Sequence, residues 1–122
     1  MRPLDPYAGN LVLSQVAMSE STSLSGGKST FIDGTVRNTG QKTVTGASVQ
    51  VLFANEEGLP PQVETMPLAL IRTREPYVDT QMLASSPLKP GEQREFRLIS
   101  ESIGSNWNMQ LPEIHVVGVQ TR

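Results

Sequence analysis

Ser29-Thr30-Phe31-Ile32-Asp33-Gly34-Thr35-Val36-Arg37-Asn38 is the stretch that decides the fold. Ile32, Gly34 and Val36 fall on one side of an extended chain, and Asp33, Thr35 and Arg37 fall on the other. This two-residue period belongs to a strand with one buried face. Gly34, having no side chain, lets a neighbouring group approach the strand closely. Asn38-Thr39-Gly40-Gln41 follows with residues that tolerate positive φ, and apolar alternation resumes at Val44, so the economical expectation is a hairpin into the next strand. That strand, Thr43 to Ala54, aligns Ala47, Val49, Val51 and Phe53 on one face, while Gly46 puts Val44 out of phase and predicts a bulge.

Working outward, the same signals recur at short spacing. Leu11 to Met18 alternates with a phase slip at Ser14-Gln15 that suggests another bulge, and the Ser, Thr and Gly run from Ser19 to Lys28 reads as loop. After the reversal forced by Asn55 to Pro61, the segment Gln62 to Thr73 is apolar in its middle. Pro67 has no N–H for a ladder, which places this segment at a sheet edge or at a switch between sheets. Tyr77 to Leu83 is a shorter candidate. Leu88-Lys89-Pro90-Gly91-Glu92 has the chemistry of a type II turn and delivers Gln93 to Ser100, with Phe96 and Leu98 inward and Glu95 and Arg97 outward. Glu101 to Gln110 is loop, and Glu113 to Gln120 closes the chain with Ile114, Val116, Val117 and Val119 on both faces. The expectation is an all-β, antiparallel, immunoglobulin-like β-sandwich of about seven strands, packed over Leu13, Ile32, Val36, Val49, Val51, Phe53, Phe96, Leu98 and Val116.

Composition bounds the function. The chain of 122 residues is one domain in size, with residues 1-10 read as an extended leader or tether and 11-122 as the sandwich. Its 10 Gly and 9 Pro, with abundant Ser, Thr and Val, favour strands and turns over helix. A net charge of −2 and a pI near 5.3 argue against nucleic acid as a partner. The absence of Cys excludes disulfides, thiol nucleophiles and thiolate metal sites, and one His is thin provision for acid–base catalysis. No cofactor is expected and no enzyme activity. No apolar run reaches the ~18 residues of a membrane span, so the stretch given reads as soluble: either a cytoplasmic protein starting at Met1 or an excised soluble part.

Three pieces together resemble a known family: Asp33-Gly34-Thr35-Val36-Arg37-Asn38-Thr39-Gly40, the strand Val44 to Phe53, and Pro87-Leu88-Lys89-Pro90-Gly91-Glu92 leading to Phe96. They are similar to the small bacterial immunoglobulin- or fibronectin-like domains of the FxLYD type. With Arg74 to Asp79 and Ser105-Asn106-Trp107-Asn108, the chain resembles more closely an uncharacterised bacterial domain-of-unknown-function family of that fold. The resemblance implies a domain following one N-terminal membrane span and facing the extracytoplasmic side of the cell envelope. It implies no catalytic residues.

Candidate chemistry is sparse. Ser25-Gly26-Gly27-Lys28-Ser29-Thr30 ends like a phosphate loop, but Thr22 stands where the first Gly belongs and a strand follows where a helix is required. His115 lies in a strand with no second His, Cys or Asp near it in sequence. Arg72, Arg74, Tyr77 and Asp79 gather two guanidiniums, an aromatic ring and a carboxylate around Pro76, and Trp107 stands between two asparagines. Arg, Tyr and Trp are the residues favoured at binding hot spots, so these five are the candidate interaction surface. The competing role for Tyr77 and Trp107 is to plug the ends of the sandwich, their polar tips reaching backbone carbonyls. The expected function is a non-catalytic binding or scaffolding module with a protein partner, held at the envelope by an anchor upstream of this chain. The alternatives are a homo-oligomer joined through edge strands, or a weak carbohydrate-binding module centred on Tyr77 and Trp107.

Overall fold

The computed structural model describes residues 6–22, 24–101, 103–104 and 107–122. Eight strands run β1 (Leu11–Thr22), β2 (Lys28–Asn38), β3 (Val44–Phe53), β4 (Gln62–Pro67), β5 (Ala69–Thr73), β6 (Asp79–Met82), β7 (Gln93–Ser100) and β8 (Glu113–Thr121). They form an antiparallel five-stranded sheet in the order β1-β2-β7-β5-β6, facing a three-stranded sheet in the order β4-β3-β8. The molecule is a β-sandwich.

The inner faces follow the two-residue period. Ile32 and Val36 of β2, Phe96 and Leu98 of β7 and Leu70 of β5 meet Val49, Val51 and Phe53 of β3 and Val116 of β8, all buried. Leu13 is half-buried against this core. Gly34 sits opposite Phe96, and a Cβ there would lie 2.9 Å from the Phe96 ring and 2.9 Å from the Ser14 carbonyl, so the absent side chain is what admits the ring. The bulges foreseen at Ser14-Gln15 and Gly46 are present as register shifts between Ser14 and Ala17 and between Val44 and Gly46. A further shift opposite Ser48 and Val49 leaves Val117 unpaired, which lets both Val116 and Val117 be buried.

Four expectations are corrected. The polar run after Met18 is not all loop: β1 continues to Thr22 and pairs with β2 from Lys28, because cross-strand hydrogen bonds hold a hairpin even where side chains carry no burial signal. Gln62 to Thr73 is not one strand but two. Pro67 ends β4 on the edge of the small sheet, Leu68 drops into the core with its N–H donated to Ala47 O at 2.9 Å, and β5 pairs in the other sheet. This makes eight strands rather than seven. Tyr77 lies outside β6, which begins at Asp79.

The fourth correction concerns Asn38 to Gln41, which is not a hairpin: β2 and β3 belong to different sheets, so the chain crosses the sandwich here. Asn38, 0% exposed, makes that crossing. Its Nδ2 donates to Lys42 O at 2.7 Å and Leu88 O at 3.1 Å, and its Oδ1 accepts from Gly40 N at 3.1 Å and the Tyr7 hydroxyl at 2.9 Å. Its backbone N–H donates to Glu92 O at 3.0 Å, and its carbonyl accepts from Gly91 N at 2.7 Å. Val44 and Leu88 then exchange two backbone hydrogen bonds of 2.9 Å, hooking the β6–β7 connection to the small sheet.

The end of the leader is part of this assembly rather than a free tether. Ala8–Asn10 forms a 3-10 turn, Ala8 is buried, and the Tyr7 hydroxyl accepts from Lys42 N at 3.0 Å. A Cβ on Gly40 would fall 2.2 Å from that hydroxyl, so only glycine permits the docking. Residues 1–5 of the leader, and Ser105 and Asn106 of the motif around Trp107, lie outside the described residues.

Asn38→Asp keeps the acceptor but loses both side-chain donors and buries a charge. Asn38→Ala removes all four side-chain hydrogen bonds and leaves a cavity in a buried position. Both variants are expected to lose about 2–4 kcal/mol of stability, measured by urea denaturation; a loss within about 0.5 kcal/mol would show that the crossing does not depend on this amide.

Candidate functional site

The five candidate residues divide between two ends of the molecule. β5 pairs with β7 through Ala69 to Arg97 and Leu70 to Phe96, so Thr73 and the turn into β6 lie toward the Gln93 end. Trp107 lines a cleft with Ser100, at the other end of β7. Eight residues of strand separate the two ends by about 25 Å. Tyr77 and Trp107 therefore do not share a platform, and a sugar site centred on both is ruled out by their positions.

At the first end, Arg72 Nε donates to Asp79 Oδ2 at 2.8 Å and its Nη2 contacts the same oxygen. Arg74 Nη2 donates to Glu95 Oε2 at 2.6 Å. The hydrogen bond it donates to Glu95, and then the charge of that carboxylate, raise the Arg74 guanidinium above its ordinary pKa. A base raised in this way stays charged through the whole working range, and the effect would fade only as the pH rose beyond the usual arginine value. On the outer face of the same sheet Arg97 grips Asp33 with two hydrogen bonds of 2.7 and 2.8 Å, and its guanidinium lies 4.3 Å from the centre of the Phe31 ring. Arg97–Asp33 and Arg74–Glu95 thus lie on this face, Arg72–Asp79 ties β5 to β6, and each arginine named is matched to an acid. Tyr77 is 74% exposed beside them, so it plugs nothing.

The second end is built differently. The β2–β7 ladder stops at Thr30 opposite Ser100, but the β1–β2 ladder runs on to Thr22 opposite Lys28, so the hairpin outreaches the sheet. Part of its uncovered inner face is roofed by the chain between β7 and β8. Asn55 and Trp107 form a β-bridge, Asn108 N donates to Ala54 O at 3.0 Å, and Gly104 N donates to Gln62 Oε1 at 2.7 Å, so the segment carrying Trp107 is fixed to β3 and β4. Buried Ser100 donates from Oγ to Glu64 Oε2 at 2.6 Å and tightens the same corner.

Trp107 packs edge-on against Phe53, centroids 5.7 Å apart and planes at 85°, which gives it the capping role expected. Its polar tip behaves otherwise: Nε1 is buried and has no acceptor among the described residues. A cleft of about 230 Å³ opens beside it between Glu20 and Lys28 of the hairpin and Glu101 and Met109, and a second hollow of about 340 Å³ shares Glu20, Trp107 and Met109 and adds Met18. Met109 has φ 64°, a left-handed conformation that a non-glycine residue adopts at a cost and that is concentrated at functional sites.

Sequence reasoning singled out Trp107 and missed its surroundings. Glu20 and Lys28 read as loop, and nothing in the order of residues brings them to Met109. The phosphate-loop-like run ends in strand, with Lys28 to Thr30 inside β2, and Lys28 faces the cleft. His115 lies on the exposed face of β8 with Nε2 3.8 Å from Glu113 Oε2, beyond hydrogen-bonding distance.

With a lined cleft at one end and its described termini at the other, the molecule is a small antiparallel β-sandwich domain. The chain itself belongs to the family described as proteins of unknown function DUF2393, whose model matches residues 5–115. No curated protein and no solved structure matches it.

The three ion pairs differ in exposure, and their energies should follow. The side chains of Arg97 and Asp33 are 15% and 24% exposed, against 60% and 38% for Arg72 and Asp79. Double-mutant cycles should give a coupling above about 1 kcal/mol for Arg97 with Asp33 and below about 0.5 kcal/mol for Arg72 with Asp79; equal couplings would refute the ranking.

Proposed function

We propose that this domain is a non-catalytic recognition module, held on the extracytoplasmic side of a bacterial membrane by an anchor upstream and presenting the Trp107 cleft outward. The observation that carries this reading is polarity of the fold. Tyr7 docks against Asn38 and Lys42, and Arg122 N donates to Thr43 O at 3.1 Å, so the chain enters and leaves at one end while the cleft occupies the other. An anchored domain of this shape places its cleft some 35 Å, the length of β2, from its point of attachment. The kinship with immunoglobulin-like domains of the FxLYD type belongs to the same proposal and rests on the Asp33–Gly40 and Pro87–Glu92 motifs.

Leu24, fully exposed at the hairpin tip, offers the test. The chain contains no cysteine, so Leu24→Cys introduces a single thiol into it. In intact bacteria making the full natural protein, a membrane-impermeant maleimide should label Cys at this position, located by peptide mass. Labelling only after lysis would place the domain in the cytoplasm.

A second reading is supported by the place of β4 at the edge of the small sheet. Val63 on this six-residue edge strand is 51% exposed, and Leu59 and Leu111 are exposed as well, so pairing of two β4 edges would extend the small sheet and join two copies. Sedimentation should then show a dimer that Val63→Lys dissociates; a monomer at the highest attainable concentration removes this reading.

A further inference from the structure

The geometry points to a ligand class for the distal cleft: a cationic side chain, arginine or lysine, carried by a protein partner and seated against Trp107 between Glu20 and Glu101. This rests on the reading of the cleft as a recognition site and adds its chemistry. The walls supply the first observation. Glu20 stands on β1 and Glu101 just beyond β7, so the two carboxylates approach the cleft from different elements. On the large sheet Asp33 is held by Arg97, Asp79 by Arg72 and Glu95 by Arg74. Among the described residues neither Glu20 nor Glu101 forms an ion pair, and Lys28, the cation on the same rim, joins neither of them. The rim therefore carries a net negative charge free to meet a cation.

The lining supplies the second observation. Trp107 and Met109 border both hollows, with Met18 on the far wall of one. A tryptophan ring attracts a guanidinium or ammonium through its quadrupole, and thioethers make soft, adaptable contact with the aliphatic stem of a long basic side chain. An anionic ligand would have to pass two carboxylates to reach one ammonium. A neutral sugar would leave both carboxylates unanswered. A basic side chain answers both and still covers the apolar lining, and space of 230 to 340 Å³ is ample for one such side chain and its backbone.

Trp107 is the one tryptophan of the chain, so its fluorescence reports the cleft directly. Acetyl-arginine-amide titrated into the 122-residue chain should give a saturable change in that fluorescence. Acetyl-citrulline-amide, of the same shape without the charge, should bind at least about tenfold more weakly. Added salt should weaken the arginine probe selectively. Glu20→Gln with Glu101→Gln should erase the difference between the two probes while leaving the urea midpoint unchanged, and Lys28→Met should not weaken the arginine probe. Equal response to citrulline, or a response confined to a neutral glycan or to acetyl-glutamate-amide, would overturn the cationic assignment but leave a recognition cleft in place. A flat response to all probes would overturn the assignment too, and surface labelling at position 24 decides display of the domain independently.

Discussion

The sandwich is organised around one buried amide. Asn38 ends β2 at the point where the chain must leave one sheet and begin the other, and its side chain makes four hydrogen bonds in a place with no access to water. An amide is suited to the position because it offers two donors and a carbonyl with two lone pairs on one planar group. The four partners belong to the leader, the crossover and the β6–β7 connection, so one side chain joins three separate segments. An unmade hydrogen bond costs more when buried than a made one contributes, so this cluster constrains the whole end of the molecule.

That constraint gives the domain its polarity. The Asn38 end is tied by backbone and side-chain hydrogen bonds that leave Tyr7 and Thr43 fixed against the body. At the far end the strands stop at different heights: β7 finishes at Ser100 while the β1–β2 hairpin extends a further turn of pleat beyond it. A hairpin that outruns its sheet has an inner face without a partner, and the chain between β7 and β8 covers only part of it. The cleft is the remainder. No helix among the described residues is long and apolar enough to cross a membrane.

Charge is paired on the outer face of the large sheet. On the outer face of the large sheet, acids and bases alternate across strands in register and neutralise each other, as Asp33 opposite Arg97 illustrates. At the cleft the carboxylates stand apart. The strand edges are also handled unequally. β1 is interrupted by the bulge at Gln15, β6 has only four residues and β8 is kinked at Val117, all of which discourage pairing with another chain. β4 has Pro67 only at its end.

Much of the fold was legible in the residues themselves. Alternation in Ser29 to Asn38, Val44 to Phe53 and Gln93 to Ser100 located three central strands and their buried faces, because a two-residue period against a core leaves no other register. Gly34, Gly46 and Pro67 announced a close approach, a bulge and a break through local stereochemistry alone. What alternation does not carry is pairing. The polar hairpin around Lys28 has no buried face to reveal it, and Asn38-Thr39-Gly40-Gln41 has the composition of a tight turn whether the chain returns in the same sheet or crosses to the other. The candidate site divided in the same way. Trp107 stood out as the largest ring in a polar loop, but Glu20 and Lys28 reach it from the distant β1–β2 hairpin, and only the height at which each strand ends brings them together. Sequence determined which residues face inward, since that depends on neighbours two positions away; the tertiary structure decided which surfaces stay uncovered, since that depends on where unrelated strands stop.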